Sequence, residues 1–319
     1  PDNPHPYNDI GVTYQYENNL EEAEKNYLEG MARIDNEPTP IIYRNMITTL
    51  NRQGRYDEAL KYHDEVYNRF KRTYDIREKA QTLRYAGRQK EAIELYLQWD
   101  KLENKKERAE NSGDILSISN AGTGEYFYYV AECYEEIGDY KKAERFYKKA
   151  IEKKYGKAST ELGYLYLRQG KYKQAIKTLN GVSDSIYKYL YTAQAYNRLQ
   201  EVDKAKETIK IGFQQLDRDI EKRDRAYYNI RLYILSGLYF ELGDYEKGYK
   251  LATEADNRRL CNSCDYSGCY EAKYRLGQYY EHMKDYDTAM KYYQEANRIN
   301  SSDVLSREAI EKLKKKMNK

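Results

Sequence analysis

The sequence predicts an all-helical repeat solenoid, and three observations carry that prediction. A six-residue segment of the form Gly-x-Tyr-x-x-Ala recurs along the chain, and small and large residues keep fixed helical distances from it. Tyrosine, a large ring with a polar tip, accounts for 39 of 319 residues against 5 Phe and one Trp, which suits thin helical layers whose side chains are half buried. With 55 basic and 52 acidic residues the charge is nearly balanced. A dedicated nucleic-acid binder carries a stronger basic bias, so nucleic acid is not an expected partner. No run of about 18 apolar residues occurs, so no membrane insertion is expected.

The recurring segment is clearest at Gly54–Ala59, Gly138–Ala143, Gly170–Ala175 and Gly243–Gly248, with weaker copies closing at Ala23, Ala92, Ala205 and Ala289. The closing residues are spaced 36, 33, 51, 32, 30, 43 and 41 apart, around the roughly 34-residue period of a helix–turn–helix repeat. Twelve residues before each closing residue stands a small one: Gly11, Ala80, Ala131, Gly163, Ala193, Ser236 or Gly277, with Ile47 the exception. Small residues at both places let the two helices of a repeat, A and B, approach closely. Three residues after the first small place comes a large one (Tyr14, Leu50, Leu83, Tyr134, Tyr166, Tyr196, Tyr239, Tyr280), so one face of helix A is apolar. The glycine between A and B ends helix A in a left-handed conformation. Four residues after the closing place, Tyr27, Tyr96, Tyr147 and Tyr293 supply a large residue to helix B.

This pattern resembles the tetratricopeptide repeat family over nearly the whole chain, although the family's usual Pro after helix B is missing. The resemblance implies a right-handed superhelical solenoid of about eight repeats. Repeats one to three are expected over 1–100, an extended helix and loop over 101–124, repeats four to eight over 125–300, and a C-terminal capping helix over 301–319. Leu305, Ala309, Leu313 and Met317 share one face of that last helix, which a solenoid needs to cover its end.

Catalytic chemistry is sparse. No P-loop, Gly-x-Ser-x-Gly elbow or His-Glu-x-x-His helix is present. The three histidines, His5, His63 and His282, fall in repeats one, two and eight, so no enzyme activity and no cofactor are expected. Cys261, Cys264 and Cys269 form a C-x2-C-x4-C cluster whose first pair has zinc-like spacing. A fourth ligand is not evident, and free thiols, a disulfide and a metal site stay open, with no metal ligand assigned. The basic run Lys312–Lys316 suits a helix C-terminus.

In the family that the chain resembles, helix A lines a concave groove. Groove places then fall six and three residues before the small place and one, four and five after it. They carry Arg44, Asn51, Arg52, Arg77, Gln81, Arg84 and Tyr85 in repeats two and three, and Tyr128 and Glu132 in repeat four. Later repeats present Tyr164, Arg168, Asn197, Arg198 and Tyr233. Arginine pairs with carboxylates and stacks on aromatics. The expected function is a non-catalytic scaffold whose arginine-lined first half takes a protein or peptide partner through an acidic or C-terminal segment. The family's chaperone-binding members clamp a terminal carboxylate, but Asn8 and Val12 do not match their opening pair, and that function is not carried over. Alternatives are a sensor segment of a longer protein with a separate output domain, and a metal-binding variant built on the cysteine loop. A cytoplasmic location is expected, although an opening at Pro1 is compatible with a removed signal.

Overall fold

Each copy of the repeated segment forms a turn between two antiparallel helices. The structure, a computed structural model, describes residues 3–33, 40–70, 73–110, 124–182, 185–218, 225–257, 267–300 and 304–318, and these form seventeen helices. The chain divides into two compact units, Pro1–Ala121 and Gly122–Lys319.

Unit 1 holds three A/B pairs: α1 (His5–Tyr16) with α2 (Leu20–Met31), α3 (Pro40–Arg52) with α4 (Tyr56–Phe70), and α5 (Thr73–Tyr85) with α6 (Gln89–Glu110). Unit 2 holds five pairs. They are α7 (Glu125–Glu136) with α8 (Tyr140–Glu152), α9 (Lys157–Arg168) with α10 (Tyr172–Asn180), α11 (Ile186–Arg198) with α12 (Val202–Arg218), α13 (Arg225–Leu242) with α14 (Tyr245–Asn257), and α15 (Ser267–His282) with α16 (Tyr286–Ile299). A final helix, α17 (Val304–Met317), follows.

The A-to-B turns share one backbone device. The residue five before each closing place has positive φ in all eight repeats: Asn18, Gly54, Gly87, Gly138, Gly170, Gln200, Gly243 and Lys284. Left-handed geometry strains any residue with a Cβ, so glycine fills five of the eight places. Next to the turn, the side chains of Asn19, Asp139, Asp244 and Asp285 accept the backbone N–H three residues on and cap the B helix.

The small places explain the close pairing. A Cβ on Gly163 would stand 2.6 Å from Leu179 Cγ, and one on Gly277 would stand 2.5 Å from the Tyr293 ring. The closing alanines are fully buried. Where helix B carries tyrosine four residues later, its ring crosses under the small place and its hydroxyl reaches helix A. Tyr27 donates to Gln15, Tyr147 to Glu135 and Tyr293 to Glu281. Ile47, the exception at the small place, is buried in the apolar core of unit 1 with Ala59 and Val66.

In unit 2, α9, α11, α13 and α15 pack side by side as a layer of A helices. At the end of the array α17 covers repeat eight by burying Leu313 with Ala289 and Tyr293, and Ala309 packs alongside. Met317, placed on that face by its spacing, is exposed.

Candidate functional site

A helices put their non-core side chains on one face, and the two units use that face differently. In unit 1 the arginine places are engaged within the protein. Arg52 donates to the Gln15 carbonyl at 2.9 Å and to Asn18 Oδ1 at 2.8 Å, tying α3 to the turn after α1. Arg77 pairs with Glu78 at 2.9 Å and lies over the Trp99 ring. Arg84 is buried and donates to Gln81, which also accepts from Tyr96. Asn51 donates to Thr82 Oγ1 at 2.9 Å, and Thr82 is 2.9 Å from the buried His63 ring. Burial pushes the His63 pKa down to about 3, with Lys79 adding to the shift and Asp64 opposing it. Arg44 and Tyr85 are half-buried.

In unit 2 the A-helix layer carries a row of stacked rings. Tyr164 of α9 stacks on Tyr191 of α11 with centroids 4.4 Å apart, and Tyr191 stacks on Tyr187 at 5.8 Å. Tyr187 meets Tyr233 of α13, with ring centroids 6.3 Å apart and hydroxyls 2.5 Å apart. Burial raises the pKa of Tyr187, Tyr191 and Tyr233, so all three stay phenols. The row ends at Arg168, whose guanidinium lies 5.9 Å from the Tyr164 centroid and 5.6 Å from that of Tyr140. Arg168 forms an ion pair with the buried Glu135 and a second, at 2.7 Å, with Glu308 of α17. Burial pushes the Glu135 carboxyl up against the pull of Arg168 and the Tyr147 hydroxyl.

Beside the row stands Glu161, half-buried and with no hydrogen bond or ion pair among the described residues. Burial pushes its pKa up to about 8, and Glu132, Glu135 and Glu271 act in the same direction. At neutral pH it is therefore largely a neutral acid. Lys157 at the start of α9 opposes the shift.

The structure brings together Tyr164 and Arg168 among the expected groove residues, whereas Tyr233 is fully buried in the core with Leu190, Ile209 and Leu238 and meets the row only through Tyr187. Asn197 is spent in tying α11 to α13 through the Glu241 carbonyl and carboxylate, both at 3.0 Å, and Arg198 is exposed. Glu132 is half-buried on α7. Tyr128 lies instead in the packed interior, its ring near those of Tyr147 and Tyr155. Sequence reasoning missed Glu161, Tyr191 and Arg275. All three stand two residues before the small place, on the stripe that joins places six before, one after and five after it. That i, i+4, i+7, i+11 spacing is the signal that finds them.

No group of three or more metal-ligating side chains is present among the described residues. Cys261 and Cys264 lie outside them, and the Cys269 side chain is not described. Cys133, the remaining cysteine, is buried on α7. Among the described residues, no helix is long and apolar enough to cross a membrane.

Tetratricopeptide repeat family models match residues 48–77, 134–189 and 270–303. Together with the eight hairpins, they identify the chain as a tetratricopeptide repeat protein, an all-α repeat array. Among solved structures, the apo form of the quorum sensor NprR from B. thuringiensis is similar with a TM-score of 0.55 and 15% identity, over 92% of this chain and 87% of that one. A Rap protein complexed with competence and sporulation factor is similar with a TM-score of 0.52 and 13% identity, over 95% of this chain and 75% of that one. A tetratricopeptide repeat protein from Parabacteroides merdae aligns over 97% of this chain and 98% of its own length, with a TM-score of 0.42 and 14% identity. At these identities the likeness is one of fold. Comparison with curated protein sequences finds no match.

Proposed function

We propose that this chain is a non-catalytic scaffold that binds a protein or peptide segment on the A-helix face of unit 2. The observation that carries the reading is the stacked row of half-buried rings Tyr164, Tyr191 and Tyr187, which spans α9 and α11, is backed by the buried Tyr233 of α13, and runs beside a carboxyl group without a partner among the described residues. Tyrosine gives large, rigid, amphipathic contact area at low entropic cost, and buried aromatic anchors dominate binding energy at interfaces. An unpartnered carboxyl on a half-buried face is costly in the free protein and is relieved when a ligand group meets it. The similar Rap protein was solved with a bound competence and sporulation factor, which supports the use of this fold to hold a partner.

An acidic segment seated on the unit 1 arginines is the weaker reading, since Arg52 and Arg77 already hold protein groups. A sensor segment within a longer protein is compatible with the same site, and the likeness to a quorum sensor favours it.

The test is Tyr164→Ala combined with Tyr191→Ala, with circular dichroism confirming helical content. Native-cell partners of the variant and the wild type are then compared by quantitative mass spectrometry. Loss of specific partners is expected; an unchanged partner profile removes unit 2's A-helix face as the site.

A further inference from the structure

The C-terminal helix does two jobs with its two halves. Its C-terminal half is a cap: Leu313 is fully buried against Ala289 and Tyr293, and Lys316 pairs with Glu281 of α15. Its N-terminal half reaches the other end of unit 2. Arg307 donates to the Glu136 carbonyl at the end of α7 (3.1 Å), and Glu308 pairs with Arg168 at the end of α9 (2.7 Å), 140 residues away in sequence. Ser306 between them and the helix start is fully buried. Arg168 and Glu136 stand five residues after the small places of their repeats, which are groove places, and Arg168 ends the tyrosine row.

The chain therefore places a carboxylate of its own on the ligand face. The Arg168 side chain is 8% exposed, whereas that of Glu308 is 36% exposed. The guanidinium is fixed from below by Glu135 and by the Tyr140 and Tyr164 rings, and Glu308 approaches it from outside. A buried arginine presented in this way recognises a carboxylate. Its external partner Glu308 is the more exposed member of the pair and also stands 4.0 Å from the exposed Lys312, which gives the carboxylate a second partner when Arg168 is taken by another group.

We propose that the first turns of α17 are a built-in competitor. Glu308 holds the Arg168 end of the tyrosine row, and a partner segment bearing an acidic side chain or C-terminal carboxylate displaces it. This rests on the reading that the A-helix face of unit 2 is the binding site, and adds the partner's chemistry and its control. A tethered competitor works at a high effective concentration, so partner affinity is reduced for as long as the latch is closed.

The test uses the full chain. Hydrogen exchange measured by mass spectrometry compares the wild type with Glu308→Ala. Exchange in residues 304–308 is expected to rise about tenfold, with α11–α14 unchanged. Unchanged exchange at 304–308 would overturn the latch. So would faster exchange throughout unit 2, which would make α17 an inseparable part of the core. The probe for partner chemistry is a fluorescein-labelled Glu-Ala-Glu-Ala-Glu peptide with a free C-terminal carboxylate. It is expected to bind Glu308→Ala about tenfold more tightly than the wild type, and the gain should vanish when Arg168→Ala is added. Equal binding to wild type and Glu308→Ala, or a gain that survives Arg168→Ala, would overturn the acidic partner. Loss of native partners in the tyrosine double variant does not depend on α17, so failure of the latch and failure of the binding face read out separately.

Discussion

Unit 1 buries a histidine whose pKa is pushed down and unit 2 half-buries a glutamate whose pKa is pushed up, although the same hairpin builds both. In unit 1, His63 sits in the α4 interior against Thr82, and the arginines around it are tied to carbonyls and carboxylates of the same unit. In unit 2, Glu161 faces the A-helix layer beside stacked tyrosines, with no partner among the described residues. The difference lies in how polar groups on the A face are used. Unit 1 ties Arg52, Arg77 and Arg84 to groups of its own. Unit 2 carries a row of stacked rings and, at Glu161, a carboxyl without a hydrogen bond or ion pair among the described residues, and the proposed binding face is placed there for that reason.

Core truncations give the largest expected effect and test whether both units depend on the same packing. Leu50 and Leu165 both lie on A helices, α3 and α9, and are fully buried. Leu50→Ala and Leu165→Ala should each destabilise by roughly 2–5 kcal/mol. Trp99, the sole tryptophan, reports on unit 1 by fluorescence in urea, and hydrogen exchange in α9 reports on unit 2. If Leu50→Ala leaves the Trp99 transition in place, the core assignment of unit 1 is wrong.

Acidity should separate the units more sharply. The folded-state pKa of His63 is depressed to about 3, below its unfolded value near 6.5. The unfolded chain then binds more protons. The stability contribution is complete above about pH 6.5 and is lost as pH falls toward about 3, at up to about 1.4 kcal/mol per pH unit. The Trp99 urea midpoint should drop across that window and stay level in His63→Gln. Glu161 has the opposite sign. Its folded pKa, about 8, lies above the unfolded value of 4.5. Its contribution is complete below about pH 4.5 and is lost as pH rises through about 8. Glu161→Gln should therefore exchange more slowly than the wild type in α9 at pH 9, by an amount on the order of 1 kcal/mol, and equally at pH 5. A wild type that is the more protected at pH 9 would contradict the burial of this carboxyl.

The smallest effect concerns the turns, which both units share. Gln200 carries φ of +63° where most repeats use glycine. Gln200→Gly should stabilise by about 1 kcal/mol and Gly170→Ala should cost a similar amount, measured by thermal unfolding. Opposite signs would mean that these positions are not held in the left-handed region.

Most of the fold was legible from the sequence because each turn repeats one steric requirement. Even the copies lacking glycine, at Asn18, Gln200 and Lys284, adopt its geometry, since the flanking small and large residues pull both helices into place. The site was less legible. Arg168 and Tyr164 were found by groove spacing, but so were Arg52, Arg77 and Asn197, whose side chains bind elements of their own unit. A spacing rule says which face a residue occupies; it does not say what stands opposite. Tyr128 shows the limit, its ring being drawn into the interior between Tyr147 and Tyr155. The contact of Glu308 with Arg168 joins residues 140 apart and has no local signature in the sequence.

The most direct test of the central claim is site-specific photocrosslinking in the native cell. Benzoylphenylalanine replaces Gln194, on the A-helix layer of unit 2, and separately Lys206, on the exposed side of α12. A discrete protein adduct at position 194 and none at 206 is the predicted result. Adducts of equal yield at both positions, or an adduct at 206 alone, would contradict a partner site on the A-helix face.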